Sequence, residues 1–488
     1  EQAERSEGID LGLRVFVGKR QACVSASDTS PTTVQEMAER AVAMAREAPE
    51  DPNAGLADED QLASDLDMTD LEMADPATEP DPAELEEDAR RAEAAAEGVK
   101  GVSLVQSAST GYGRRRVFLA ASNGFEGGYE RTDRAVSCVA ITGTGTGMER
   151  DYAGESRIFQ ADLPSPEWVG KLAGERTVAR AGAKQPPTGA FPVVFDERIA
   201  SSLIGHLLVA ANGSSVARGS SWLRDALGED VLPTALSLVE EPHRPRASGS
   251  RKFDAEGLQT ARREIVSDGV LTGWTLDLAT ARKLGMQSTA NAARGTLGPP
   301  SPSISNVVLT QGEVSRDALL RSMGTGLLVT SLIGSSVNPT TGDYSRGASG
   351  HWVENGEITY PVNECTIAGN LRNMLRTLVP ANDARPHLSH GFTLIGEERG
   401  LCIGKRRTVQ RRARVRGRRL RQQPAVWHFA VRLVAAVALD RLTRTHLQPV
   451  LVPRKTRHPS TIGIEDLQPE GNVGWHCQRH RAIRLDRR

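Results

Sequence analysis

The chain has 488 residues and a formal net charge of −1, with 39% hydrophobic and 25% charged residues. That charge averages two unlike parts: residues 1–390 carry 38 basic and 54 acidic side chains, residues 391–488 carry 22 and 7. The length exceeds what one hydrophobic core accommodates, and the composition excludes a wholly disordered, collagen-like or disulfide-stapled chain.

Five cysteines (Cys23, Cys138, Cys365, Cys402, Cys477) are scattered without a CxxC pair. This argues against a structural zinc cluster and for a reducing compartment, by default the cytoplasm. The nearest approach to a membrane span, Ala425–Leu439, is interrupted by His428 and Arg432, so no membrane crossing is expected. Glu1–Gly8 has no signal-peptide pattern, and with no initiator Met before a strand that starts almost at once, the expectation is that the true N-terminus is missing.

Ile9, Leu11, Leu13, Val15 and Val17 alternate with Asp10, Gly12, Arg14 and Phe16, the period of a strand with one buried face. Gly18-Lys19-Arg20 makes a turn, Gln21–Ser27 pairs back, and Thr33–Glu36 reads as a capping box opening a helix to about Ala48. Residues 49–82, rich in Asp, Glu and Pro, read as a solvated acidic linker. Asp81-Pro82 then caps a helix that Gly98 closes. Short strands are expected at Lys100–Ser107, Arg116–Ser122 and Glu130–Thr142, with Asn123-Gly124 as a tight turn. After a linker at Ala183–Gly189, a strand at Phe191–Phe195 leads into a helix on which Ile199, Leu203, Leu207 and Ala210 share a face. The remainder reads as mostly strand, with a short helix at Asp317–Met323, a hairpin over Gly350–Pro361 turning at Glu354-Asn355-Gly356, and a helix over Thr366–Leu378. The fold class is therefore α+β: a small N-terminal strand–helix module (1–48), the acidic linker (49–82), a middle α+β domain (83–182) and a larger mostly-β C-terminal domain with a few helices (190–396).

From residue 397 a basic tail follows. In Arg399–Gln422 eleven of 24 residues are Lys or Arg and none is acidic, which cannot pack a core. A nucleic-acid arm held by phosphate contacts is one reading, and an extra folded domain another. The preferred reading is a non-native or disordered tail, because an Arg-, Pro- and His-rich stretch that begins abruptly is what out-of-frame reading of GC-rich DNA yields.

Candidate chemistry is sparse. Thr142–Gly147 is glycine-rich but lacks GxGxxG spacing and a following amphipathic helix, so a hairpin is preferred to a phosphate loop. His206 lies near the edge of its helix's apolar face without a second imidazole or a Glu that would complete a helical zinc site. No GxSxG elbow appears among the many serines. Gly342–Gly347 places Asp343 and Arg346 beside flexible glycines, where they could bind the backbone or termini of a peptide; the alternative is a turn closed by an Asp343–Arg346 pair.

The stretches Arg294–Pro302, Thr341–Gly347, Trp352–Gly356 and Tyr360–Asn370, with Leu11–Lys19 and Gly213–Asp225, resemble the TldD/PmbA family of metallopeptidases, and within it the PmbA (TldE) branch. The resemblance implies a cytoplasmic system in which a TldD-type subunit pairs with a PmbA-type subunit to cleave peptides or unfolded protein segments. In the TldD branch a helix bears His-Glu-x-x-x-His, two zinc ligands and a general base. The matching segment here, Ser201–His206, keeps only the last position, with Ser201 in place of the first ligand and Ser202 in place of the base. The resemblance thus implies no catalytic residue and no cofactor in this chain, zinc in the partner subunit, and a peptide or unfolded protein as substrate; Asp343 and Arg346 are the candidate substrate contacts from their own glycine-flanked setting. Cys365 is not expected to be a ligand. The alternatives are a nucleic-acid-binding protein acting through its tail and an autonomous hydrolase with an unrecognised site; nucleic acid is the disfavoured partner.

Overall fold

Three alternating residues, Leu11, Leu13 and Val15, bury one face of the strand Leu11–Val17 (β2), which lies between Gln2–Gly8 (β1) and Arg20–Ala26 (β3) in the sequence. They pack on Met37, Ala41 and Ala45 of the helix Pro31–Glu47 (α1). The computed structural model describes residues 2–382 and the strands Leu394–Gly396, Cys402–Lys405, Leu433–Val434 and Asn472–His480. The expectation for the basic tail lies largely outside the described residues. Helix α1 starts earlier than its expected capping box. Ser30 is the cap, its hydroxyl accepting from the Thr33 N–H at 3.4 Å, and Pro31 fits the first turn, where a missing N–H leaves no bond unmade.

Residues 49–82 are not the solvated linker that their charge suggests. Leu71 is fully buried, Ala54, Ala57, Ala63 and Met73 nearly so, and the segment runs as a strap over the C-terminal domain. Its acidic groups are spent on specific partners: Asp65 and Asp70 each lie 2.9 Å from the Lys252 ammonium, and Glu72 pairs with Arg246 at 2.8 Å. Leu62 bridges to Leu258, and the Ala63 N–H donates to the Gly257 carbonyl at 2.8 Å. Small apolar residues at irregular spacing carry no period, which is why the packing is invisible in the sequence.

The helix Pro82–Glu97 (α2) follows, capped by Asp81 and closed at Gly98 as expected. Where two short strands were expected, one 19-residue strand, Val102–Ala120 (β4), runs through the Gly111 and Gly113 interruptions. It pairs along its length with Glu126–Thr142 (β5), with register shifts between Val102 and Leu104 and between Val105 and Ser107, and β5 pairs with Glu149–Arg157 (β6). Tyr112 is buried with Leu85 of α2, and the Thr110 hydroxyl donates to the Leu85 carbonyl at 2.6 Å, so the glycine-flanked segment is anchored from one face. The helix Pro166–Val178 (α3) crosses α2 closely: a Cβ on Gly170 would run into the Ala92 carbonyl. Thr142–Gly147 forms the β5–β6 hairpin connection, as preferred over a phosphate loop.

In the C-terminal domain Val193–Phe195 (β7) leads through Asp196 into the helix Glu197–Ala210 (α4). Strand β7 pairs in parallel with Gly326–Val337 (β8), which continues antiparallel to Asp343–Glu354 (β9) and Glu357–Asn370 (β10). Leu394–Gly396 pairs with the other side of β7. Asn355 and Gly356, both at positive φ (54° and 79°), make the two-residue turn expected between β9 and β10. The helix expected over Thr366–Leu378 is shorter: Thr366, Ile367 and Ala368 belong to the ladder with β9, and only Leu371–Arg376 is helical, capped by Asn370. A second sheet holds Leu238–Glu240, Arg263–Ser267, Val270–Leu271 and Val307–Leu309. Between the sheets and α4 lies the largest core, with Phe195, Leu203, Leu207, Leu238, Tyr344 and Trp352.

Candidate functional site

Helix α4 begins at Asp196, whose carboxylate accepts from the Arg198 N–H at 3.3 Å, and buries Leu203, Ile204 and Leu207. Strand β9 meets that core through Tyr344, Ala348 and Trp352. The two-residue period of a strand places Arg346 on the same face, between Tyr344 and Ala348. His206 of α4 stands edge-on to the Tyr344 ring, centroids 5.9 Å apart and planes at 72°. Three polar side chains from two elements therefore converge at the rim of an apolar core.

Their electrostatics are uneven. Burial, and then the Arg346 charge, push the His206 imidazole below its ordinary value, so it is neutral at pH 7. Burial pushes the Tyr344 hydroxyl up to about 12, against the opposing pull of Arg346, and keeps it a donor. The Tyr344 hydroxyl leans on the Arg346 guanidinium, while the His206 Nε2 and the Arg346 Nε are shielded from solvent without a hydrogen-bond partner. No acidic side chain pairs with Arg346 among the described residues.

This donor set does not suit a zinc ion, which takes three or four thiolate, imidazole or carboxylate donors from the protein. Next to His206 are a protonated phenol and a guanidinium cation. Among the described residues no three His, Cys, Asp or Glu side chains converge on one point. The Ser202 hydroxyl is turned onto its own helix, donating to the Ile199 carbonyl at 2.6 Å. Ser201 opens instead onto a groove of about 290 Å³, lined also by Gly205, Val209, Asn212, Thr275 and Ser303. Cys365 is buried, its thiol donating to the Ala348 carbonyl at 3.2 Å and pushed up to about 11 by burial.

Asp343 and Arg346 are separated. Three residues apart on a strand, they project to opposite faces, and the turn-closing pair between them does not form. Asp343 instead accepts from the Thr341 hydroxyl at 2.7 Å and the Asn370 amide at 3.0 Å, which hold its carboxyl below the usual range. The remaining histidines of the sequence reading are structural: His243 meets the Thr260 hydroxyl at 3.0 Å and His351 the Ala179 carbonyl at 3.3 Å. Tyr344 was missed by sequence reasoning because the glycines around it suggested a turn; read as a strand, the i, i+2 spacing to Arg346 would have brought it in.

Beside this cluster, β8 has a free side. Its partner β7 covers only Leu327–Val329, and beyond them Ser331–Val337 pairs with β9 alone among the described residues. Ile333 on that segment is 57% exposed.

Three α+β modules in this order are those of a PmbA/TldD-type protein, and the chain belongs to the PmbA/TldD metallopeptidase family. Its residues 1–45, 75–181 and 188–397 match, in turn, PmbA/TldA metallopeptidase domain 1, the central domain and the C-terminal domain. Among individual proteins, it is 40% identical over 403 residues to Metalloprotease PmbA of Escherichia coli O157:H7, covering 81% of this chain and 86% of the relative. A Metalloprotease PmbA homolog of Haemophilus influenzae is 38% identical over 394 residues, covering 80% and 84%. A putative modulator of DNA gyrase from Bacteroides thetaiotaomicron superposes with TM-score 0.73 at 28% identity, over 83% of this chain and 93% of the other. TldE from Thermococcus kodakarensis shares the fold, with TM-score 0.68 at 19% identity over 82% and 95%.

Proposed function

We propose that this chain is the PmbA-type, non-metal-binding subunit of a two-component peptidase, pairing with a TldD-type subunit that holds zinc and cuts peptides or unfolded protein segments. The observation that carries this reading is the make-up of α4: Ser201 and Ser202 stand where a zinc ligand and a base are required, and Arg346 lies beside the one imidazole. Without a carboxylate to take the proton from a metal-bound water, and with a cation next to the remaining donor, neither metal affinity nor turnover is supported. The role left to the chain is to complete the complex and hold the substrate. The unpaired side of Ser331–Val337 supports capture by strand addition, in which main-chain hydrogen bonds grip an extended peptide and read little of its sequence.

The test is reconstitution. The purified chain, incubated with an unfolded protein and zinc, is expected to release no fragments, and adding a TldD-type partner is expected to start cleavage. Zinc-dependent hydrolysis by the chain alone would refute the assignment.

A further inference from the structure

We propose that His206, Tyr344 and Arg346 form a carboxylate-binding site that receives the free C-terminus of a peptide; this rests on the reading of the chain as a substrate-holding subunit. The first argument is hydrogen-bond accounting. Tyr344 is 2% exposed and its hydroxyl leans on the Arg346 guanidinium, while the His206 Nε2 and the Arg346 Nε are shielded from solvent without a partner. Polar atoms withheld from water and left unpaired are destabilising, so their meeting beside a guanidinium with no acidic partner marks a place that an anion completes. The second argument is charge. Arg346 lies on the core face of β9 with no acidic partner among the described residues, and the neighbouring imidazole is kept neutral partly by that cation. An arriving anion reverses both conditions.

The third argument is chemical matching. A guanidinium presents paired N–H donors to the two oxygens of a carboxylate, and the phenol supplies a third donor at short range. Once the anion neutralises Arg346, His206 gains the incentive to protonate and donate from Nε2. A metal cation, by contrast, meets repulsion from Arg346 and a phenol that resists ionisation up to about 12. Asp343 points to the other face of the strand and does not oppose the anion. The site lies on the strand next to the free side of β8 and on the adjoining helix. A peptide laid along the free side of β8 would run one strand away from β9, and the end of it with matching charge is the carboxylate.

The experiment uses the full chain and two tetra-alanine peptides, one with a free C-terminal carboxylate and one with a C-terminal amide, with acetate and inorganic phosphate as competitors. The free acid is expected to bind at least tenfold more tightly than the amide. R346Q should abolish that preference, R346K retain part of it, and Y344F reduce it severalfold. Acetate should compete and should raise the His206 pKa seen by NMR, moving it from below the ordinary value towards or above it. Competition by phosphate but not acetate would reassign the site to a phosphoryl ligand and overturn the proposal. Equal binding of acid and amide, no binding of either, or a His206 titration indifferent to acetate would overturn it too. The subunit reading is judged separately: an acid preference without cleavage on adding the TldD-type partner leaves the site standing and removes the subunit role. Restored cleavage without acid preference does the reverse.

Discussion

Glu256 shows how much the local environment outweighs a residue's intrinsic chemistry. Its side chain is almost fully buried where the N-terminal module meets the C-terminal domain, 3.7 Å from Arg14 of β2, and it accepts from the Leu278 N–H at 2.8 Å. Burial, and then the neighbouring Asp254 and Asp277 carboxyls, still push it up to about 8 from an ordinary 4.5. Burial likewise lowers the Arg14 pKa, so both halves of the pair are short of solvation. An acid whose folded pKa is raised contributes stability that is whole below its unfolded pKa and is lost as pH rises through the folded one. The protein should therefore weaken between about pH 4.5 and pH 8 through this group, and E256Q should flatten that slope in denaturant unfolding followed across the range. An unchanged slope in E256Q would show that Glu256 is not the titrating group. His206 acts in the opposite sense: its depressed pKa contributes stability above the ordinary value near 6.5 and loses it as pH falls through the folded value.

Among the elements, close backbone contact sets the firmest constraints. Gly170 lets α3 rest on the Ala92 carbonyl of α2, and G170A should cost about 2 kcal/mol or more because either the helices separate or the added methyl strains them. The Asp81 cap, whose carboxylate accepts from the Ala83 N–H at 2.8 Å, should be worth about 1 kcal/mol in D81A. Chemical denaturation of each variant checks both values, and a wild-type midpoint for G170A would mean that the helix pair has slack. This is also the scale at which the sequence was most legible. Alternating Leu11, Leu13 and Val15, the Asp81-Pro82 start, the Gly98 stop and the Asn355-Gly356 turn are local signals, and local hydrogen bonding decides them. The 19-residue β4 and the packed strap at 49–82 were not legible, because partners distant in sequence overrode glycine and acidic composition there. At the site, His206 and Arg346 stood out from residue type alone. Their meeting with Tyr344 depends on a strand face that glycine-rich Gly342–Gly347 disguised.

At the scale of the whole molecule, ion pairs and hydrogen bonds join the middle and C-terminal domains. Asp151 of β6 is buried between Arg198 of α4 at 3.0 Å and Arg180 at 3.6 Å. Arg180 also reaches Glu149 at 3.2 Å and the Ser349 hydroxyl at 3.0 Å, and Asn363 donates to Glu149 at 2.6 Å. The start of the site helix is thereby tied to the middle domain. D151A removes one of two carboxylates from each guanidinium, leaving Arg198 with Asp196 and Arg180 with Glu149, and should destabilise the protein by about 1.5–3 kcal/mol. It should also separate one calorimetric transition into two, whereas a single transition at the wild-type temperature would mean that the junction contributes little. No helix among the described residues is long and apolar enough to cross a membrane.

Helix α4 presents serines and a guanidinium-flanked imidazole where a zinc peptidase needs a closed donor set. The most direct measurement is a calorimetric zinc titration of the purified chain without its partner. No saturable binding is expected at micromolar zinc, and no change when His206 is replaced by Asn. One equivalent bound at submicromolar affinity and lost in H206N would contradict it.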